Sequence, residues 1–183
     1  MVYTFTCTVS EKQERVTRIS EVSVHQQIAG SAPVCVAQIH DEFWGDGRET
    51  TVTFSGGSFS VSRQYDTILE KHVVHAFLDD QRNICLYLNE DLVGPPAYTA
   101  FCLNCDGQTY PLDLFTDSKC KFQRIAVRQA PTAQAPEGAV FAVLERTKDF
   151  ENGFEYVVST DDASNIPLLM AIFTLPFATH NGF

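Results

Sequence analysis

Asn165-Ile166-Pro167-Leu168-Leu169-Met170-Ala171-Ile172-Phe173-Thr174-Leu175 is the stretch that decides how this chain folds. It carries no charge and no polar-apolar alternation, and as a helix it is apolar all the way round, with no face suited to water. About 20 apolar residues are needed to cross a bilayer, and this run has roughly half that number before Pro176. It reads as a core helix, wrapped by the rest of the chain. Asp161, Asp162, Ser164 or Asn165 can cap its start, and Pro167 suits its first turn. The ring of Pro176 clashes with the Ile172 carbonyl, so the helix is expected to stop or kink there.

What precedes this segment has the opposite character: short, β-branched, alternating runs between turn residues. Thr50 to Phe54 and Phe59 to Arg63 flank Ser55-Gly56-Gly57-Ser58, a hairpin signature. Val73 to Leu78 and Ile84 to Leu88 flank Asp79 to Asn83, another. Tyr98 to Leu103 and Thr109 to Leu112 flank Asn104-Cys105-Asp106-Gly107, whose Asp-Gly pair suits a tight turn. Met1 to Val9, Val34 to Ile39, Lys121 to Arg128, Val140 to Glu145 and Phe154 to Val158 read as further strands, and Ser10 to Arg15 as a polar turn. Val16 to Val24 alternates only loosely and fits a strand or a short helix. Gln129 to Gly138 reads as a surface loop. Ten to twelve short strands, roughly, at regular spacing predict a mainly β fold: an antiparallel β-barrel enclosing the C-terminal hydrophobic helix.

With 183 residues the chain suits a single domain spanning 1–183, large enough for a core without disulfide staples. A net charge of −10 opposes nucleic-acid phosphates and anionic surfaces alike, so no nucleic-acid partner is expected. The start, Met1 to Val9, has no basic region followed by an apolar stretch, so a cytoplasmic protein with free thiols is the expectation for its six cysteines.

The order of the last elements carries a family resemblance. Ala139 to Arg146, a short charged link, Gly153 to Val158, a short polar link and then Asn165 to Leu175 resemble the end of the tubby-like C-terminal fold. That fold is shared by tubby proteins, phospholipid scramblases and the LURP-one-related proteins. Leu78 to Leu86 is similar to their recurring D-x-x-G-N hairpins, although the glycine is missing here. The resemblance implies a barrel threaded by its C-terminal helix, no enzymatic activity, no cofactor, and a binding role at membranes. Tubby proteins hold phosphoinositide headgroups with lysine and arginine on the barrel surface. The matching candidates here are Lys119, Lys121, Arg124 and Arg128; the competing reading is a solvated strand face balancing Asp113 and Asp117. Scramblases carry an acidic calcium-binding segment just before the helix, which points to Asp161 and Asp162. Helix capping explains the same residues.

Other motifs point less specifically. Cys102-Leu103-Asn104-Cys105 is a lone C-x-x-C; zinc needs further ligands, and the alternative is one core and one turn cysteine. Asp41 to Gly47 reads as an acidic, glycine-rich loop that either offers Phe43 and Trp44 to a protein partner or folds them into the barrel end. No nucleophile elbow, P-loop, dinucleotide-binding glycines or H-E-x-x-H is present, so a non-enzymatic binding module is expected. Two functions follow. One is phosphoinositide or peripheral membrane binding; the other is a regulatory or effector protein-protein interaction without lipid.

Overall fold

The computed structural model describes residues 2–44, 47–66, 71–78, 82–88, 101–117 and 121–178, with the backbone alone over 61–66, 71–78, 82–88, 101–102 and 177–178. The fold is mainly β, an antiparallel sheet with one C-terminal helix. Its strands are β1 (Tyr3–Glu14), β2 (Thr17–Gln27), β3 (Val34–Trp44), β4 (Gly47–Phe54), β5 (Gly57–Asp66) and β6 (Lys71–Leu78). They continue with β7 (Arg82–Leu88), β8 (Phe101–Cys105), β9 (Gln108–Thr116), β10 (Phe122–Arg128), β11 (Val140–Phe150) and β12 (Gly153–Thr160). Helix α1 is Ile166–Ala178. Each strand pairs with its neighbours in sequence, and β12 pairs back onto β1, so the hydrogen-bonded ladder closes into a barrel.

Side-chain period 2 sends one residue in two inward. Phe5, Cys7 and Val9 of β1, Val22 and Val24 of β2, and Ala37 and Ile39 of β3 line the interior, as do Tyr156 and Val158 of β12. A barrel of eight strands is filled by its own side chains, whereas this wider ring has room for a helix roughly 10 Å across. Leu168 to Leu175 occupy it, each residue at most 5% exposed. The helix backbone lies beside β3, β6 and β7, and its Phe173 meets Phe5 of β1 and Tyr156 of β12 across the ring. Contacts on opposite walls explain why no face of α1 is polar.

Asn165 caps the helix by accepting the Leu168 N–H on its side-chain oxygen at 3.2 Å, and Pro167 falls in the first turn. Pro176 does not stop the helix, which runs on to Ala178. So close to the end, Pro176 removes only the bond that would reach the Ile172 carbonyl, and burial of the surrounding turn outweighs that loss.

Turn chemistry fixes the register. Asp106 and Gly107, at φ of 52° and 75°, form a two-residue β8–β9 turn with both residues left-handed, as the Asp-Gly pair predicts. The polar Ser10 to Arg15, which reads as a turn in sequence, instead extends β1 to Glu14, and only Arg15 and Val16 turn. Hydropathy misleads here because β1 outruns the core: beyond Val9 it no longer has buried apolar neighbours to require alternation. Val16 to Val24 resolves as strand, with Thr17 opening β2. At Gly153 a Cβ would lie 2.0 Å from the Val9 carbonyl oxygen, so β12 approaches β1 there as only glycine allows.

Candidate functional site

The interior changes chemistry where α1 ends. Along β2 the inward sequence is Val24, Val22, Ser20, Arg18, and along β11 it is Ala142, Leu144, Arg146. Apolar lining gives way to arginine on both strands at the same end of the barrel. A cleft of about 260 Å³ opens there between Arg18, Lys121, Arg146, Phe122, Phe154 and Pro176, with Glu11, Asp149 and Glu151 on its walls. The last turn of a helix presents carbonyls without intrahelical donors and the negative end of its dipole, which accounts for cations gathering at this end.

The three cations are held differently. Arg146 donates to Asp149 from Nε at 2.7 Å and stacks 4.0 Å above the Phe154 ring. Its side chain is 10% exposed. Arg18 lies over Phe43 at 5.5 Å, and its buried Nε has no hydrogen-bond partner. Lys121 is half-buried; its main-chain N–H donates to Asp117 Oδ1 at 2.9 Å, while its ammonium, like the Arg18 guanidinium, makes no salt bridge among the described residues.

Beside this cleft lies a buried ion pair. Arg48 Nε and Nη2 donate to the two Asp41 oxygens at 2.8 and 2.9 Å, and Thr50 donates to Asp41 Oδ1 at 2.6 Å. The side chains are 7% and 0% exposed. Phe43 sits between the guanidinium groups of Arg18 and Arg48. The acidic loop expected over Asp41 to Gly47 is thus corrected: Asp41 to Trp44 complete β3 and Gly47 opens β4. The charge that suggested solvent is neutralised by Arg48 across the hairpin. Phe43 turns into the barrel end, while Trp44 stays 38% exposed.

The expected basic patch is spread out along β10. Lys119 lies outside the described residues. Lys121 joins the cleft, but Arg128 is seven residues on, about 23 Å away along an extended strand. Arg128 donates to Asp113 at 2.6 Å and to the Gly138 carbonyl at 3.1 Å, and the Asp113 hydrogen bond holds its pKa above the usual arginine value. Arg124 lies 3.5 Å from Glu145 and stacks over Phe115. Lys121, Arg124 and Arg128 therefore do not converge. Arg18 and Arg146, which line the same cleft as Lys121, belong to no motif in the sequence. Their one signal is their place in the inward register of β2 and β11.

Asp162 accepts the Ser164 N–H at 2.8 Å, and that residue's hydrogen bonds hold the exposed carboxyl below the usual range. Both Asp161 and Asp162 are exposed at the helix entrance. Among the described residues no group of three or more His, Cys, Asp or Glu side chains is arranged for a metal ion. Cys105 is buried at the end of β8, in a strand and not in the turn. The Cys102 side chain is outside the described set. A second cleft, about 370 Å³, opens at the other end of the barrel beside Tyr3, Phe5, Phe54, Ile166 and Asp161.

Among the described residues no helix is long and apolar enough to cross a membrane. Compared with known proteins, the chain matches no protein-family model, no curated protein and no solved structure.

Proposed function

We propose that this chain is a tubby-like barrel working as a non-enzymatic binding module, which takes a phosphoinositide headgroup or a membrane surface on its outside. The observation that carries the reading is the filling of the interior by Leu168 to Leu175, all buried. A barrel with a helix for its core has no room for a ligand inside, so recognition falls to its ends and outer wall. In an acidic protein the cations best disposed for an anion are Lys121 with Arg18 and Arg146. Arg124 and Arg128 already face Glu145 and Asp113.

Co-sedimentation with phosphatidylcholine vesicles, with and without phosphatidylinositol bisphosphate, tests the reading. Headgroup-dependent binding that falls in Arg18→Ala/Lys121→Ala and persists in Arg124→Ala/Arg128→Ala is the expected result. No headgroup-dependent binding removes the lipid reading. A second reading, a protein-interaction domain, is favoured by the exposure of Trp44, and a pull-down lost in Trp44→Ala without any vesicle binding would select it.

A further inference from the structure

Three large apolar side chains stand exposed at one end of the barrel. Val16, in the β1–β2 turn, is 81% exposed; Phe150, closing β11, is 47%; and Trp44, closing β3, is 38%. The β11–β12, β1–β2 and β3–β4 hairpins follow one another around the ring. Trp44 is in register with Thr17, next to Val16, and Phe150 lines the cleft that holds Arg18 and Lys121. Separate hydrophobic points on projecting hairpins, around a recess with unpaired cations, differ from the flat packed patch of a protein interface. They suit a fluid surface that closes around each point. Aromatic and branched side chains are stable at the depth of lipid headgroups, and basic groups beside them meet phosphate.

We infer that this end of the barrel is the membrane-facing one, with Val16, Trp44 and Phe150 entering the lipid interface and Arg18 and Lys121 receiving a phosphate of a lipid headgroup. This rests on the lipid reading above and adds an orientation to it. Glu11 and Glu151 share the cleft and repel a uniformly anionic surface, so a phosphorylated headgroup that reaches between Arg18 and Lys121 is preferred over phosphatidylserine. The opposite end exposes apolar residues too, among them Val2, Ile28, Val34, Val140 and Ile166, but it carries the exposed carboxylates Asp161 and Asp162; Ile28 and Val34 provide a control surface.

Trp44 is the only tryptophan, so its fluorescence reports this end alone. The full chain is titrated with phosphatidylcholine vesicles containing phosphatidylinositol bisphosphate or phosphatidylserine, and with soluble inositol trisphosphate. Brominated lipids report depth. Expected are a blue shift and shallow-bromine quenching with the bisphosphate vesicles. Vesicle affinity should fall about tenfold in Val16→Asp/Phe150→Asp and stay unchanged in Ile28→Asp/Val34→Asp, as loss of buried apolar area requires. Circular dichroism melts check that the variants remain folded. Vesicle binding with Trp44 emission unchanged, or binding lost only in the Ile28/Val34 variant, overturns the orientation while leaving the lipid reading standing. Saturation by soluble inositol trisphosphate with no added affinity for vesicles overturns the membrane docking and assigns the cleft to a free phosphate. Absence of binding to every vesicle and to the soluble headgroup defeats both readings.

Discussion

Tyr156 of β12 donates its phenolic hydrogen to the main-chain oxygen of Phe173 in α1, at 2.6 Å, with both residues fully buried. The bond ties the barrel wall to its core at the turn before Pro176, where the missing N–H weakens the helix's own ladder. Burial raises the Tyr156 pKa, as it does that of Cys7, its cross-strand partner on β1. Tyr156→Phe removes the bond while keeping the ring. It should cost about 1 kcal/mol in urea unfolding, the usual net value of one hydrogen bond. A neutral substitution would show that the helix needs no clasp.

The Asp41–Arg48 pair behaves differently from the exposed pairs. Asp41→Ala leaves a buried guanidinium without its carboxylate and strips Thr50 of its acceptor, so a loss of about 3–5 kcal/mol is expected. Glu145→Ala, which frees the half-exposed Arg124, should change stability by about 1 kcal/mol or less. Equal effects at the two sites would contradict the burial assigned to the first.

His40 gives a pH signature. It stands on the outer wall between Glu42, 2.9 Å from Nε2, and Glu21, 2.6 Å from Nδ1, and these hydrogen bonds raise its pKa from 6.5. The folded state thus favours the protonated ring. The associated stabilisation is fully present below the unfolded value of about 6.5 and is lost as pH rises through the higher folded value. NMR titration should give a midpoint above that of an unfolded histidine, and Glu42→Gln should lower it more than Glu21→Gln. Exposure of all three side chains keeps the effect on stability small.

Truncation before Ser164 removes the whole core segment. The inward faces of the strands would then line a water-filled or collapsed ring, and the product should be insoluble or unfolded. A truncated chain that stays soluble and melts cooperatively would make α1 a dispensable tail.

Much of this architecture is legible in the sequence, for reasons that individual residues make plain. Leu168 to Leu175 declares burial on every side, and Asn165, Pro167, Asp106 and Gly107 each carry local turn or cap chemistry that needs no distant partner. The misread elements depend on distant partners. Asp41 looks solvent-directed until Arg48 and Thr50 are brought across a hairpin. Glu11 to Glu14 look like a turn because β1 extends past the core. Pro176 looks like a stop because the burial that overrides it comes from strands far back in the chain. The cleft was hidden most thoroughly, since Arg18, Lys121 and Arg146 are separated in sequence and meet only when β12 pairs with β1.

Helix α1, as the core of the barrel, turns recognition to the outside. Native-state hydrogen exchange of the Leu169 to Phe173 amides tests this most directly. If the helix is enclosed, these amides open only with the whole protein, and their exchange free energies equal those of the core of β1 at Cys7 and Val9. Rapid exchange of the helix while β1 stays protected would contradict it, placing the segment outside a barrel that stands without it.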